Sequence, residues 1–150
     1  MPHPSRSPLA QITRIALACS LAGTAMAQSY HEPARGSAER KELMAAVRPF
    51  AESVLGAPVE FVVRDLRVAG DVGYAALDAQ RPGGGRIDLA TTPHSRRYGH
   101  DPNLYPGIYA LYQKQNGHWQ LTGSDFSPFE PPFMSPQECA VYGAVLVEWC

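Results

Sequence analysis

Few residue groupings in this chain have the makings of chemistry. His94, His100 and Asp101 fall close together. Imidazole nitrogens and carboxylate oxygens bind zinc or copper when enough of them converge. The six-residue step between the two histidines matches no familiar ligand spacing, and His31 or His118 would join only through folding. These three are weak metal candidates in a segment that reads as a polar, solvated loop. Arg96, Arg97 and Tyr98 lie between them and suit contact with an acidic partner or a polysaccharide, as any exposed Arg-Arg-Tyr would. Phe126, Phe129, Phe133 and Met134, with prolines among them, are expected to close one end of the core. Phe129 and Phe133 are also the candidates for an exposed ridge, since aromatics are enriched where partners bind. Gly83-Gly84-Gly85 lacks the Gly-Lys-Ser/Thr ending of a phosphate loop and reads as a turn. No G-x-S-x-G or H-E-x-x-H motif occurs. Asp65, Asp71, Asp78 and Asp88 fall at expected strand ends and turns. The sequence nominates no catalytic residue and no cofactor, and an enzyme is the lesser expectation.

The compartment is easier to read. Arg6 and Arg14 precede an apolar run, Ile15 to Ala27, that closes on Ala25-Met26-Ala27. A basic start, a short apolar run and a small-x-small end form the secretory signal pattern. Cleavage is expected between Ala27 and Gln28, giving a periplasmic or secreted protein. The run is too short to span a bilayer, which takes about 20 residues. Ala16-Leu17-Ala18-Cys19 loosely resembles a lipoprotein box, but it stands too close to Arg14. Removing the leader takes the net charge from −1 to about −3. That balance argues against nucleic acid, whose phosphates demand concentrated positive charge. The leader also carries off Cys19. Cys139 and Cys150 remain, and an even pair in an exported chain favours a disulfide.

Residues 28–36 read as a flexible lead-in, and residues 37–150 as one domain. Ser37 is a natural cap for a helix ending near Leu55. Leu43, Val47, Phe50 and Val54 give it a single apolar face. Pro49 inside that helix predicts a kink near Ala45 to Val47, or two pieces. Val59 to Val68 alternates as a strand and changes phase at Arg64-Asp65, as a bulge would require. Gly70-Asp71 turns the chain into a strand from Val72 to Gln80. Ile87 and Leu89 suggest a short strand, and Thr91 to Gly107 a long irregular loop. Asn116-Gly117 marks a hairpin between Ile108–Lys114 and a strand from His118 toward Phe126. Ser135-Pro136-Gln137-Glu138 fits a capping box. A short helix should follow to about Tyr142, with Ala144 to Trp149 returning as an extended tail. The class is α+β: an N-terminal amphipathic helix on a curved antiparallel sheet of about four strands. A cystatin-like or nuclear-transport-factor-2-like cone is the first choice, and a helix lying flat on the sheet the second.

Three runs carry a resemblance: Arg40-x-x-Leu43-x-x-Ala46-x-Arg48-Pro49, Pro58-Val59-x-Phe61-Val62-Val63 and Leu66-x-Val68-x-Gly70-Asp71. With Ile108 to Leu111, Asn116-Gly117 and Trp119 to Leu121, they resemble a group of small exported proteobacterial proteins. The likeness spans about Arg40 to Leu121 without the long loop. It implies export and an α+β fold, and no activity. The expectation for function is a small exported binding or interaction module that meets another envelope protein, of inhibitor or immunity type. The alternative is a small-ligand carrier or enzyme with a pocket inside the curved sheet.

Overall fold

The computed structural model describes residues 30–150. The leader, Cys19 and the Ala27–Gln28 junction lie outside those residues. Helix α1 spans Ala38–Leu55, with the Ser37 hydroxyl accepting from the Arg40 amide. Leu43, Val47, Ala51 and Leu55 are fully buried. Pro49 lies within one continuous helix, so the expected division into two pieces is not found. Its missing N–H removes one helical bond, but the buried stripe continues on both sides and holds the two halves to one core. The last turn is capped from outside: the Arg81 guanidinium donates to the carbonyls of Leu55, Gly56 and Pro58. A cation there complements the helix dipole as well as the orphan carbonyls.

Strand β1 (Glu60–Ala69) pairs antiparallel with β2 (Val72–Gln80). The register slips between Val63 and Asp65, where the alternation changes phase. Gly70 opens the turn with φ +57°, as a type II′ hairpin requires. Next comes helix α2 (Pro93–Tyr98), then β3 (Gly107–Gln115) and β4 (His118–Phe126). Asn116 and Gly117 both take positive φ, the type I′ geometry. The sheet order is β1-β2-β3-β4. Helix α3 (Pro136–Tyr142) begins with the full Ser135–Glu138 capping box. The fold is α+β, with helix, four-stranded antiparallel sheet and short C-terminal helix in chain order.

Three further expectations are corrected. Ile87 and Leu89 form no strand. Gly85 bridges back to Arg81, and the Asp88 carboxylate caps a short 3-10 turn, Leu89–Thr91. The long loop is not wholly irregular, because Thr92 caps α2 and Pro93 begins it. That is a helix-start signal written in the sequence, hidden by its brevity. The lead-in is tied down: His31 exchanges backbone bonds with Val68, Arg40 holds Glu32 and the Pro33 carbonyl, and Pro33 is buried.

Both faces of the sheet are covered. Under α1, Leu66, Val68, Ala75, Leu77, Ile108, Ala110, Tyr112 and Trp119 complete the main core. On the other face, Tyr74, Ala76 and Leu111 pack with Tyr142, Val145 and Leu146 from the C-terminal segment. That segment is not an extended tail. Amides of Val145 and Leu146 bond to the Tyr142 carbonyl, and those of Trp149 and Cys150 to the Leu146 carbonyl. The coil brings Cys150 back to Cys139, whose Cα is 5.3 Å away, and the two are bonded.

Candidate functional site

The sequence candidates in the α2 region do not converge. The His94 ring packs against those of Phe126 and Tyr98, with centroids 4.9 and 5.0 Å away. His100 lines a different, shallow depression with Arg86 and Leu104. The Asp101 carboxylate accepts from the backbone and side chain of Asn103. Among the described residues, no three His, Cys, Asp or Glu side chains are placed to hold a metal ion. Arg96 donates to the Thr91 carbonyl. Arg97 lies over the Tyr98 ring at 5.7 Å. Both arginines and Tyr98 are exposed.

A more organised arrangement lies on the sheet face opposite α1, where the segment after β4 crosses it. Tyr105, Tyr109, Phe129 and Trp149 surround an open cleft of about 400 Å³, with Pro128, Pro131 and Glu130 completing its wall. Each ring has a reason to be there. Tyr109 points from β3 to this face by strand alternation. Tyr105 precedes β3 and lies over Gly107, where an added Cβ would come within 2.0 Å of the ring. Its hydroxyl donates to the Pro128 carbonyl at 2.9 Å and its amide to Ser127 Oγ at 3.0 Å. Ser127 in turn donates its amide to the Gly107 carbonyl.

Ser127 and Phe133 bracket the proline-rich segment with φ of +54° and +70°. Such angles are costly outside glycine and persist where the surroundings enforce them. Here the Ser127 bonds and the packing of Phe133 into the second core supply that enforcement. Phe133 therefore covers the core as expected. Phe129 and Met134 do not: they are 76% and 47% exposed.

Trp149 is placed by Arg67, a side chain that no sequence motif singles out. Arg67 lies on β1 and faces this side of the sheet, with its side chain only 10% exposed. It pairs with Asp65 and Glu148 and donates to the Val145 carbonyl. Its guanidinium also sits over the rings of Tyr30, Tyr74 and Trp149, at 4.8, 5.8 and 5.9 Å. Beside it, Arg64 pairs with Asp78 at 3.0 Å and lies 5.2 Å over the Tyr109 ring. Burial pushes the Tyr74 and Tyr105 hydroxyls well above the ordinary tyrosine range. Both stay neutral through physiological pH.

Arg67, Tyr105, Tyr109, Glu130 and Trp149 escape sequence reasoning for one reason: no short window contains them. A signal for the face itself exists. Val72-Gly-Tyr-Ala-Ala-Leu has apolar or small residues at every position, the pattern of a strand covered on both sides. No family model matches this chain, and neither a curated protein nor a solved structure matches it. Together, fold and site define a small α+β domain with an aromatic cleft on its sheet. No helix among the described residues is long and apolar enough to cross a membrane.

Proposed function

We propose that this protein is a small exported binding module that takes its ligand in the cleft around Phe129. The observation that carries the reading is the 76% exposure of Phe129 beside three further aromatic rings. A large apolar side chain held in water at that level serves contact better than stability. A concave site walled by aromatics and prolines suits a ligand that offers an apolar body. The signal-like leader supports a periplasmic or secreted location. So do the resemblance to small exported proteobacterial proteins and the bonded cysteine pair, which favours an oxidising compartment.

The test is a thermal-shift screen of the mature protein against sugars, peptides, amines and organic acids, repeated on Phe129→Ala. Ligands that stabilise the parent and lose their effect in the variant support the cleft. Ligands that act equally on both overturn it. Intact mass of the exported protein, with and without reductant, checks cleavage after Ala27 together with the disulfide.

A second reading rests on Arg96, Arg97 and Tyr98. Tyr98 is 70% exposed, so this edge suits an acidic protein partner, in the manner of an envelope inhibitor or immunity protein. Ligands or partners lost in an R96A/R97A variant, and kept in Phe129→Ala, would favour it.

A further inference from the structure

The cleft has the composition of a cation box, and we infer that it takes a quaternary ammonium group carried by a small molecule. This rests on the cleft being the ligand site. Its wall holds no cationic side chain. Pro128 and Pro131 have no N–H, and the Tyr105 hydroxyl is already spent on the Pro128 carbonyl. The Tyr109 hydroxyl and the Trp149 indole N–H are its remaining side-chain donors, and no Lys, Arg or His lines it to pair with an anion. What lines the cleft is four aromatic rings and one carboxylate. That combination attracts an organic cation.

Charge on this face points the same way. Asp65, Asp78, Asp125, Glu130 and Glu148 stand against Arg64 and Arg67. Asp125 is the cross-strand partner of Tyr109. Asp78 is paired with Arg64, and Asp65 and Glu148 with Arg67. Glu130, at the cleft, has no ion-pair or hydrogen-bond partner among the described residues. The face also already holds two cations by this chemistry. Arg64 rests on Tyr109, and Arg67 on Tyr30, Tyr74 and Trp149.

The kind of cation follows from what is lacking. A hard metal ion prefers several oxygen ligands, and the cleft wall supplies a single carboxylate. A primary ammonium needs partners for three N–H bonds. A quaternary ammonium has no N–H to satisfy and presents methyl groups to the rings. The volume of about 400 Å³ falls in the range of small-molecule sites.

The experiment titrates the folded mature protein with tetramethylammonium, choline and the uncharged carbon isostere of choline. Binding is followed by NMR shifts of the Trp149 indole and the Phe129 ring. Both ammonium probes should shift these signals, and the neutral isostere should bind roughly tenfold more weakly. Glu130→Gln should weaken choline several-fold, and Phe129→Ala should abolish the shift of the Trp149 indole. Both side chains are exposed, so unchanged melting temperatures will show that the variants fold. Equal binding of the neutral isostere overturns the cation inference and leaves the cleft standing as an apolar site. No shift with either ammonium probe overturns it too, while the ligand screen on Phe129→Ala judges the cleft independently. Shifts that survive in both variants place the cation elsewhere and also overturn it.

Discussion

Arg67 and Glu148 stand 81 residues apart and form an ion pair that fastens the C-terminal coil to β1. The same guanidinium holds Asp65 and the Val145 carbonyl. Arg67→Ala should therefore destabilise the protein by about 2–3 kcal/mol. That is below the cost of breaking a fully buried pair, because Glu148 is half exposed and water screens it. Glu148→Gln should cost under about 1 kcal/mol. Urea unfolding of the two variants checks the ranking. Equal midpoints would remove Arg67 from the centre of this face.

Acid should loosen the same contacts. The Arg67 guanidinium holds the Glu148 carboxyl below its ordinary value of 4.5. The Trp119 amide, and then the His118 ring, do the same for Glu42, which ties α1 to the start of β4. Folding favours the ionised form of both. Their contribution is complete above the unfolded-state value and is lost as pH falls through the folded-state values. A Glu42→Gln/Glu148→Gln variant should be less stable than the parent at pH 6, and the gap should close in acid below pH 4.5. Melting temperatures across that range decide it, and a gap independent of pH would contradict the assignment.

Reduction of Cys139–Cys150 opens a short loop, with a separation of 11 residues. Loss of the bond should cost about 2–3 kcal/mol. It should also release Trp149 from Tyr74, whose rings meet edge to face at 5.3 Å. A lower melting temperature and a changed tryptophan emission should appear together in reductant. A stable protein with unchanged emission would mean that packing alone holds the coil.

Gly107→Ala should disturb the cleft from beneath. The added methyl group has to displace the Tyr105 ring, breaking its hydroxyl bond to Pro128. We expect a loss of about 1 kcal/mol and a shifted Tyr105 ring signal by NMR. An unmoved ring would show that the strand yields instead.

Much of this architecture is legible in the chain. The helical face is local, although Ala51 and Leu55 lie at its buried centre and the expected Phe50 and Val54 at its partly buried flank; the Arg64-Asp65 phase change, the Asn116-Gly117 turn and the Ser135–Glu138 box are local too. Each is decided by residues within a turn or two of one another. The cleft is not local. Arg67 sits at a strand position that looks solvent-facing until the C-terminal coil covers it. Phe129 and Phe133 are alike in sequence, yet Phe133 joins the core and Phe129 stays in water. Phe133 takes a left-handed backbone conformation, and no short pattern announces it.

The meander also sets a timetable. From β1 to β4 each strand pairs with its neighbour in sequence, so these parts can assemble as the chain emerges. The coil that covers Tyr74, Ala76 and Leu111 is synthesised after all of them. Until it docks, that apolar patch is bare, and bare patches on incomplete chains invite aggregation. The cleft is thus a late-forming structure. Its Trp149 wall arrives after every ring it stands beside, and a chain cut short after β4 would carry a sheet without a site.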